Sequence, residues 1–318
     1  MTRPLLVTGG TGLLGSAIRK LRPDAIFLSR TDGDLRDRSV AQRLLEEIRP
    51  GRILHLAGVV GGVKANAASN SRFFEDNALI NTAVLSAARA LGIQNVISFL
   101  SSCAFPLFSD RATTEDDLQA ALPYDGNAGY GYAKRMLDLH TRLVAKEEGW
   151  NWTTLTPVTM YGLQDSFDPE GGHVVGSLIR RCWEAKTTGT PYIVWGSGRA
   201  VRQFVFVDDV AKIAVEAIQR KLDSTTTIIA PDDGITIQAL AETIASVIGY
   251  TGPIVFDRNQ PEGALVKRLQ SRVFPKRFPD CRFTSLKQGL EATVRWFIHH
   301  STSGEGVSRG SSPLCHQS

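Results

Sequence analysis

Short runs of adjacent apolar residues recur early in the chain: Leu5-Leu6-Val7, Ala25-Ile26-Phe27-Leu28, Ile53-Leu54-His55-Leu56 and Val96-Ile97-Ser98-Phe99-Leu100. No polar face alternates through them, so each reads as a strand buried on both sides. Between them the spacing changes. Over 38–49, Val40, Leu44, Leu45 and Ile48 fall on one face of a helix. Strand and helix in repeated alternation predict an α/β fold, a doubly wound parallel Rossmann sheet covered on both faces. The pattern adds strands at 153–158 and 204–207, and a helix over 208–222 through Val210, Ile213, Ala217 and Ile218.

Residues 161–200 differ in texture, being rich in Gly, Asp, Pro and Trp. After the turn signal Pro231-Asp232-Asp233-Gly234, helical spacing resumes at Ile237, Leu240, Ile244 and Val247. These stretches predict a smaller, discontinuous substrate-binding lobe, 161–202 and 230–301, beside a nucleotide-binding domain of 1–160 and 203–229. On this reading the chain returns to the main sheet at 204–207. The polar stretch 302–318 is expected to be a disordered tail.

Composition removes several classes of function. Cys103, Cys182, Cys281 and Cys315 form no CxxC pair, which argues against a zinc site and a disulfide scaffold and fits a reducing, cytoplasmic setting. The net charge of +4 comes without a dense Lys/Arg block, so no nucleic-acid partner is expected. No apolar run is long enough to span a bilayer, and Met1-Thr2-Arg3-Pro4 leads directly into a strand pattern, so neither a membrane span nor a signal peptide is expected.

The first strand runs into Thr8-Gly9-Gly10-Thr11-Gly12-Leu13-Leu14-Gly15 and then a helix. Gly9, Gly12 and Gly15 give the spacing GxxGxxG: a tight turn, a close approach to a pyrophosphate, and close helix–strand packing. Exposed N–H groups at Leu13 and Leu14 and the helix dipole would hold the phosphates. The second strand ends at Leu28-Ser29-Arg30-Thr31 without the acid that usually binds a ribose 2′-hydroxyl. Arg30 suits a 2′-phosphate, so the expected cofactor is NADP(H). Asp34 and Leu35 are placed to flank the adenine, and Ala57-Gly58 leaves room for ribose and phosphates.

Tyr130 and Lys134 lie one helical turn apart. A phenol with a pKa near ~10 is a poor acid–base group at neutral pH. A nearby ammonium is expected to lower that pKa and to bind the nicotinamide ribose. Ser101 follows a core strand and would bring a hydroxyl to the same end of the sheet. Cys182 and His55 fall within a helix and a strand and read as core residues.

With these motifs in place, the chain resembles the GDP-L-fucose synthase family from residue 4 to about 298. The resemblance rests on Val60-Gly61-Gly62-Val63, Ser101-Ser102-Cys103-Ala104-Phe105-Pro106, Gly129-Tyr130-Gly131-Tyr132-Ala133-Lys134, Gly172-His173-Val174, Val194-Trp195-Gly196-Ser197-Gly198 and Arg202-Gln203-Phe204. It implies an NADPH-dependent 3,5-epimerase/4-reductase of GDP-4-keto-6-deoxy-D-mannose, acting as a homodimer. Ser101, Tyr130 and Lys134 would be the reductase trio and Cys103 and His173 the acid–base pair, His173 also lying at the cofactor. Arg181, Trp195, Arg202 and Lys267 would bind the GDP-sugar. Two departures keep another nucleotide-linked 4-keto sugar open as substrate. Thr159 replaces the family's Asn, and Val266, Arg268 and Gln270 around Lys267 stray from the pattern. A non-catalytic NADP-binding sensor is disfavoured because the trio is complete.

Overall fold

Backbone hydrogen bonding in the computed structural model divides the chain into the following elements; residues 3–108, 110–231, 234–260 and 262–302 are described. β1 (Leu5–Thr8), α1 (Leu13–Leu21), β2 (Ile26–Leu28), α2 (Arg38–Ile48) and β3 (Arg52–His55) come first. They are followed by α3 (Val63–Ala68), α4 (Asn70–Ala90), β4 (Asn95–Phe99), α5 (Ala128–Glu148) and β5 (Asn151–Pro157). Next are β6 (Thr159–Tyr161), α6 (Val174–Thr188), β7 (Tyr192–Trp195), β8 (Val201–Arg202), β9 (Phe204–Phe206), α7 (Val207–Ala217) and β10 (Thr227–Ile229). β11 (Ile235–Thr236), α8 (Ile237–Ile248), β12 (Ile254–Asp257), α9 (Phe274–Arg277) and α10 (Leu286–Thr302) complete the order. Of the turn signal at 231–234, Asp232 and Asp233 lie outside the described residues, as does the expected tail beyond Thr302.

The central sheet has six strands in the order β10-β5-β4-β3-β1-β2, all parallel. Every residue of β1 is buried, as a strand covered on both faces requires. From β1 the chain goes first to one side, β2, and then to the other, β3. Loops leaving the carboxyl ends of β1 and β3 therefore diverge and open a crevice, the place where doubly wound sheets bind ligands. Among the helices, α1 packs with α7, and α4 packs with α2 and α5.

One expectation is corrected. The strand at 204–207 does not return to the main sheet: β9 pairs with β6 in a separate two-stranded parallel sheet, and β10 takes the sixth place. The reason lies in β9's alternation. Phe204 and Phe206 join a second apolar cluster built on α6, α8 and α10, while Val205 and Val207 face the cluster around the central sheet. Successive strand residues point to opposite sides, so one short strand serves two cores.

Candidate active site

The glycine loop is shaped by contacts that only hydrogen permits. Gly9 has φ of 69°, and a Cβ there would lie 2.9 Å from the Ala57 nitrogen. The β1 and β3 loops can therefore touch at their bases before they diverge, and Gly12, exposed, caps the start of α1. Leu13 and Leu14 form the first turn of that helix, with Leu14 and Gly15 buried. At the end of β2, Asp32 is turned onto Ser29, accepting from its nitrogen at 2.7 Å and its hydroxyl at 2.8 Å. The Asp34 carboxylate is held by Arg36, whose Nη1 also reaches Asp76 at 2.8 Å. Both acids near this strand end have protein partners, beside the exposed Arg30 and the buried Leu35.

The trio assembles from two elements. Ser101 leaves the end of β4, and its hydroxyl accepts from the Cys103 nitrogen at 3.2 Å. α5 approaches closely because Gly131 carries no side chain, and a Cβ there would lie 2.6 Å from the Cys103 carbonyl oxygen. Tyr130, one residue earlier, is thereby brought beside Ser101 and close enough to feel the Cys103 charge. Lys134 is buried and donates to the Phe99 carbonyl at 2.8 Å, and its Nζ lies 5.7 Å from the Tyr130 ring centre. A Cβ on Gly58, next to Ala57, would sit 3.7 Å from the same Nζ. The glycine crevice and the trio therefore form one continuous site.

Electrostatics differ from the simple expectation at the phenol. Burial pushes the Tyr130 pKa up, the Cys103 charge adds to it, and only the Ser101 hydrogen bond opposes. Burial lowers Lys134 to about 8. The phenol is thus held protonated.

Burial alone would raise the Cys103 thiol, but the charge on Lys267, with hydrogen bonds from Ser101, Lys267 and Asn127, brings it below the ordinary thiol value. Lys267 Nζ lies 3.2 Å from Cys103 Sγ. Its segment is strapped in place: Lys267 N bonds the Val201 carbonyl, Thr113 brackets it through Arg268 and Gln270, and Gln203 holds Leu269. Arg202 lies close enough to feel charges at Cys103, Glu262 and Tyr124. His173 caps α6, and its Nδ1 is 2.9 Å from Asp165 Oδ1. Burial would lower this imidazole's pKa, but the Asp165 hydrogen bond and charge raise it. The carbonyl of neighbouring Gly172 would lie 3.5 Å from a Cβ on Gly62, so the His173 loop borders the segment that follows β3. Arg181 stacks over Trp195, its guanidinium carbon 3.9 Å from the ring centre, and donates to the Pro169 carbonyl.

Residues 5–229 match the NAD dependent epimerase/dehydratase family. The GDP-L-fucose synthase of Dictyostelium discoideum is 30% identical over 93% of this chain and 95% of its own length. A probable GDP-L-fucose synthase of Drosophila melanogaster is 31% identical over 94% and 98%. The chain belongs to the GDP-L-fucose synthase family. A family structure from Naegleria fowleri, bound to NADP, superposes with a TM-score of 0.88 at 32% identity, covering 96% of each chain. A UDP-glucose 4-epimerase from Thermotoga maritima, 22% identical with a TM-score of 0.80, covers 94% of this chain and 99% of its own and shares the fold.

Some of this family site escapes a reading by motif. Asn127 stands at the N-cap position of α5 but makes no capping bond; its side chain lies near the Cys103 thiol and helps to lower its pKa. An Asn before a helix reads as a cap, so sequence hides this role. Asp165 and Arg36 carry no motif of their own. His55 is buried, with Nδ1 at 2.9 Å from Thr8 Oγ1 and Nε2 at 3.1 Å from Asn81 Oδ1, and Cys182 is fully buried.

Proposed function

We propose that this protein converts GDP-4-keto-6-deoxy-D-mannose to GDP-L-fucose, inverting C3 and C5 and then reducing C4 with NADPH. The observation that carries this reading is the Cys103 thiol, 3.2 Å from the Lys267 ammonium, on a residue whose backbone nitrogen bonds Ser101 of a complete reductase trio. Ketone reduction needs no thiol, whereas proton transfer at carbons flanking the ketone needs an acid–base group close to the carbonyl.

The crevice fits a dinucleotide, because exposed Gly12 presents bare backbone at the start of α1, where a Cβ would meet only the Gly9 carbonyl at 3.4 Å. Gly9, Gly12, Leu13, Leu14, Gly15, Arg30, Asp34, Leu35, Ala57, Lys134 and His173 would hold NADP(H), with Arg30 at the 2′-phosphate. Bound there, NADPH supplies the hydride for C4. Ser101 and Tyr130 hydrogen-bond the ketone oxygen, so charge released by deprotonation at C3 or C5 falls on an oxygen that already has donors. Cys103 removes the proton as a thiolate, and His173 returns one from the opposite face. During reduction Tyr130 protonates the C4 oxygen. Arg181, Arg202 and Lys267 bind the diphosphate and its surroundings, and Trp195 packs on the nucleotide or sugar.

The reading divides the chain into an NADP-binding domain, 1–160 and 203–229, and a substrate-binding lobe, 161–202 and 230–301. It includes a homodimer: Tyr132, Met136, Leu139 and Leu143 form an exposed apolar stripe along α5, with Leu79 exposed on neighbouring α4. It also includes a cytoplasmic setting, since Cys103, Cys182 and Cys281 are free thiols of the kind a reducing compartment maintains. Incubation with the 4-keto substrate in heavy water tests the activity. Solvent deuterium is expected at both C3 and C5, and a product keeping its original hydrogens there would sink the epimerase assignment. Thr159, where the family pattern has Asn, favours as second reading a different nucleotide-linked 4-keto sugar, which product analysis by NMR would reveal.

A further inference from the structure

The loop between β6 and α6 is tightly built. Phe167 is buried, with the Trp296 ring stacked 5.8 Å away and the Phe297 ring at 4.7 Å. Gln164 adopts φ of 66°, in the left-handed region that is strained for a residue with a side chain. Directly after it comes Asp165, whose side chain is 0% exposed. Its Oδ1 accepts from the Ser166 nitrogen at 2.8 Å and faces His173 Nδ1 at 2.9 Å. Its Oδ2 is buried with no hydrogen-bond partner among the described residues. Enclosing a carboxylate with one oxygen unsatisfied is costly, and the cost persists only where the charge has a use. Its side-chain partner is the imidazole.

The geometry points to Asp165 as the positioning residue of His173, fixing the ring through Nδ1 and leaving Nε2 to exchange a proton with the substrate. This rests on the acid–base role given to His173 above. Donation of Nδ1–H to Asp165 fixes the tautomer of the neutral ring and stabilises the imidazolium once Nε2 is protonated. The other charges near the ring are otherwise engaged. Glu170 pairs with Lys64 at 3.6 Å, Asp168 accepts from the Glu170 nitrogen at 3.0 Å, and Arg181 stacks on Trp195. Asp165 is the charge in contact with the imidazole.

The test is an NMR titration of the His173 ring in full-length protein, assigned by comparison with His173→Asn. The wild-type ring is expected to titrate above the ordinary histidine value of about 6.5 and to be the Nδ1–H tautomer when neutral. In Asp165→Asn the midpoint is expected to fall by about one pH unit. In heavy water this variant should incorporate deuterium at C3 and C5 at least about tenfold more slowly. Asp165→Glu, which keeps the charge, should retain a raised midpoint. A wild-type midpoint at or below the ordinary value overturns the proposal, even if Asp165→Asn fails to fold, and so does coincidence of the Asp165→Asn and wild-type curves. Unchanged deuterium incorporation by His173→Asn would instead strike the acid–base reading and leave the titration to decide Asp165.

Discussion

At the scale of single residues, environment moves the ionisable groups of the site in opposite directions. Tyr130 is kept protonated by burial, and Cys103 is drawn toward the thiolate by Lys267 despite burial. Tyr130→Phe should therefore retain NADPH binding while losing ketone reduction by about a hundredfold to ten-thousandfold, the usual contribution of a positioned acid. NADPH absorbance in single turnover reads this directly, and undiminished reduction would remove Tyr130 from the role of proton donor. The pairing of Tyr130 with Lys134 was legible in the sequence, because one helical turn is a local distance. The direction of the phenol's shift was not, since it arises from burial and from a thiol on another element.

At the scale of elements, the approach of α5 to the end of β4 decides whether the trio exists. A Cβ at residue 131 would press within 2.6 Å of the Cys103 carbonyl, a backbone atom that cannot step aside. Gly131→Ala should force the helix outward, lowering stability by about 1–3 kcal/mol, the usual range for overpacking. Both Cys103 and Tyr130 lie at the contact, so loss of deuterium incorporation and loss of reduction are expected together. A variant with wild-type rates for both would show that the close approach is not required. The glycine loop and α5 were readable from spacing. Lys267 at Cys103 was not, because the residues lie 164 positions apart and meet only through a strap held by Thr113, Val201 and Gln203.

Across the whole molecule, a buried histidine links the sheet to stability. His55 is kept neutral by burial and by the Lys134 charge, its pKa lowered from 6.5 to about 3. As pH falls from 6.5 toward about 3, the unfolded chain takes up a proton that the folded protein refuses, so stability must fall through that window. Urea midpoints measured across it should show the decline, and His55→Gln, although less stable at neutral pH, should show a shallower one. Equal slopes would mean that other groups dominate. The α5 stripe makes a second prediction at this scale: Leu139→Glu with Leu143→Glu should shift the sedimenting species from dimer to monomer. A wild-type protein that sediments as a monomer would reject the dimer.

Periodicity along the chain determined the parallel sheet, its crossover helices, the glycine turn and the Tyr130/Lys134 face, because burial and helical pitch act over a few neighbouring residues. Only the tertiary structure decided that β9 would join β6 rather than the main sheet, that Lys267 would reach Cys103, and that Asp165 would be enclosed against His173. Those outcomes depend on atoms brought together from distant segments, and the charge and polarity around a group follow from that assembly rather than from its neighbours in sequence.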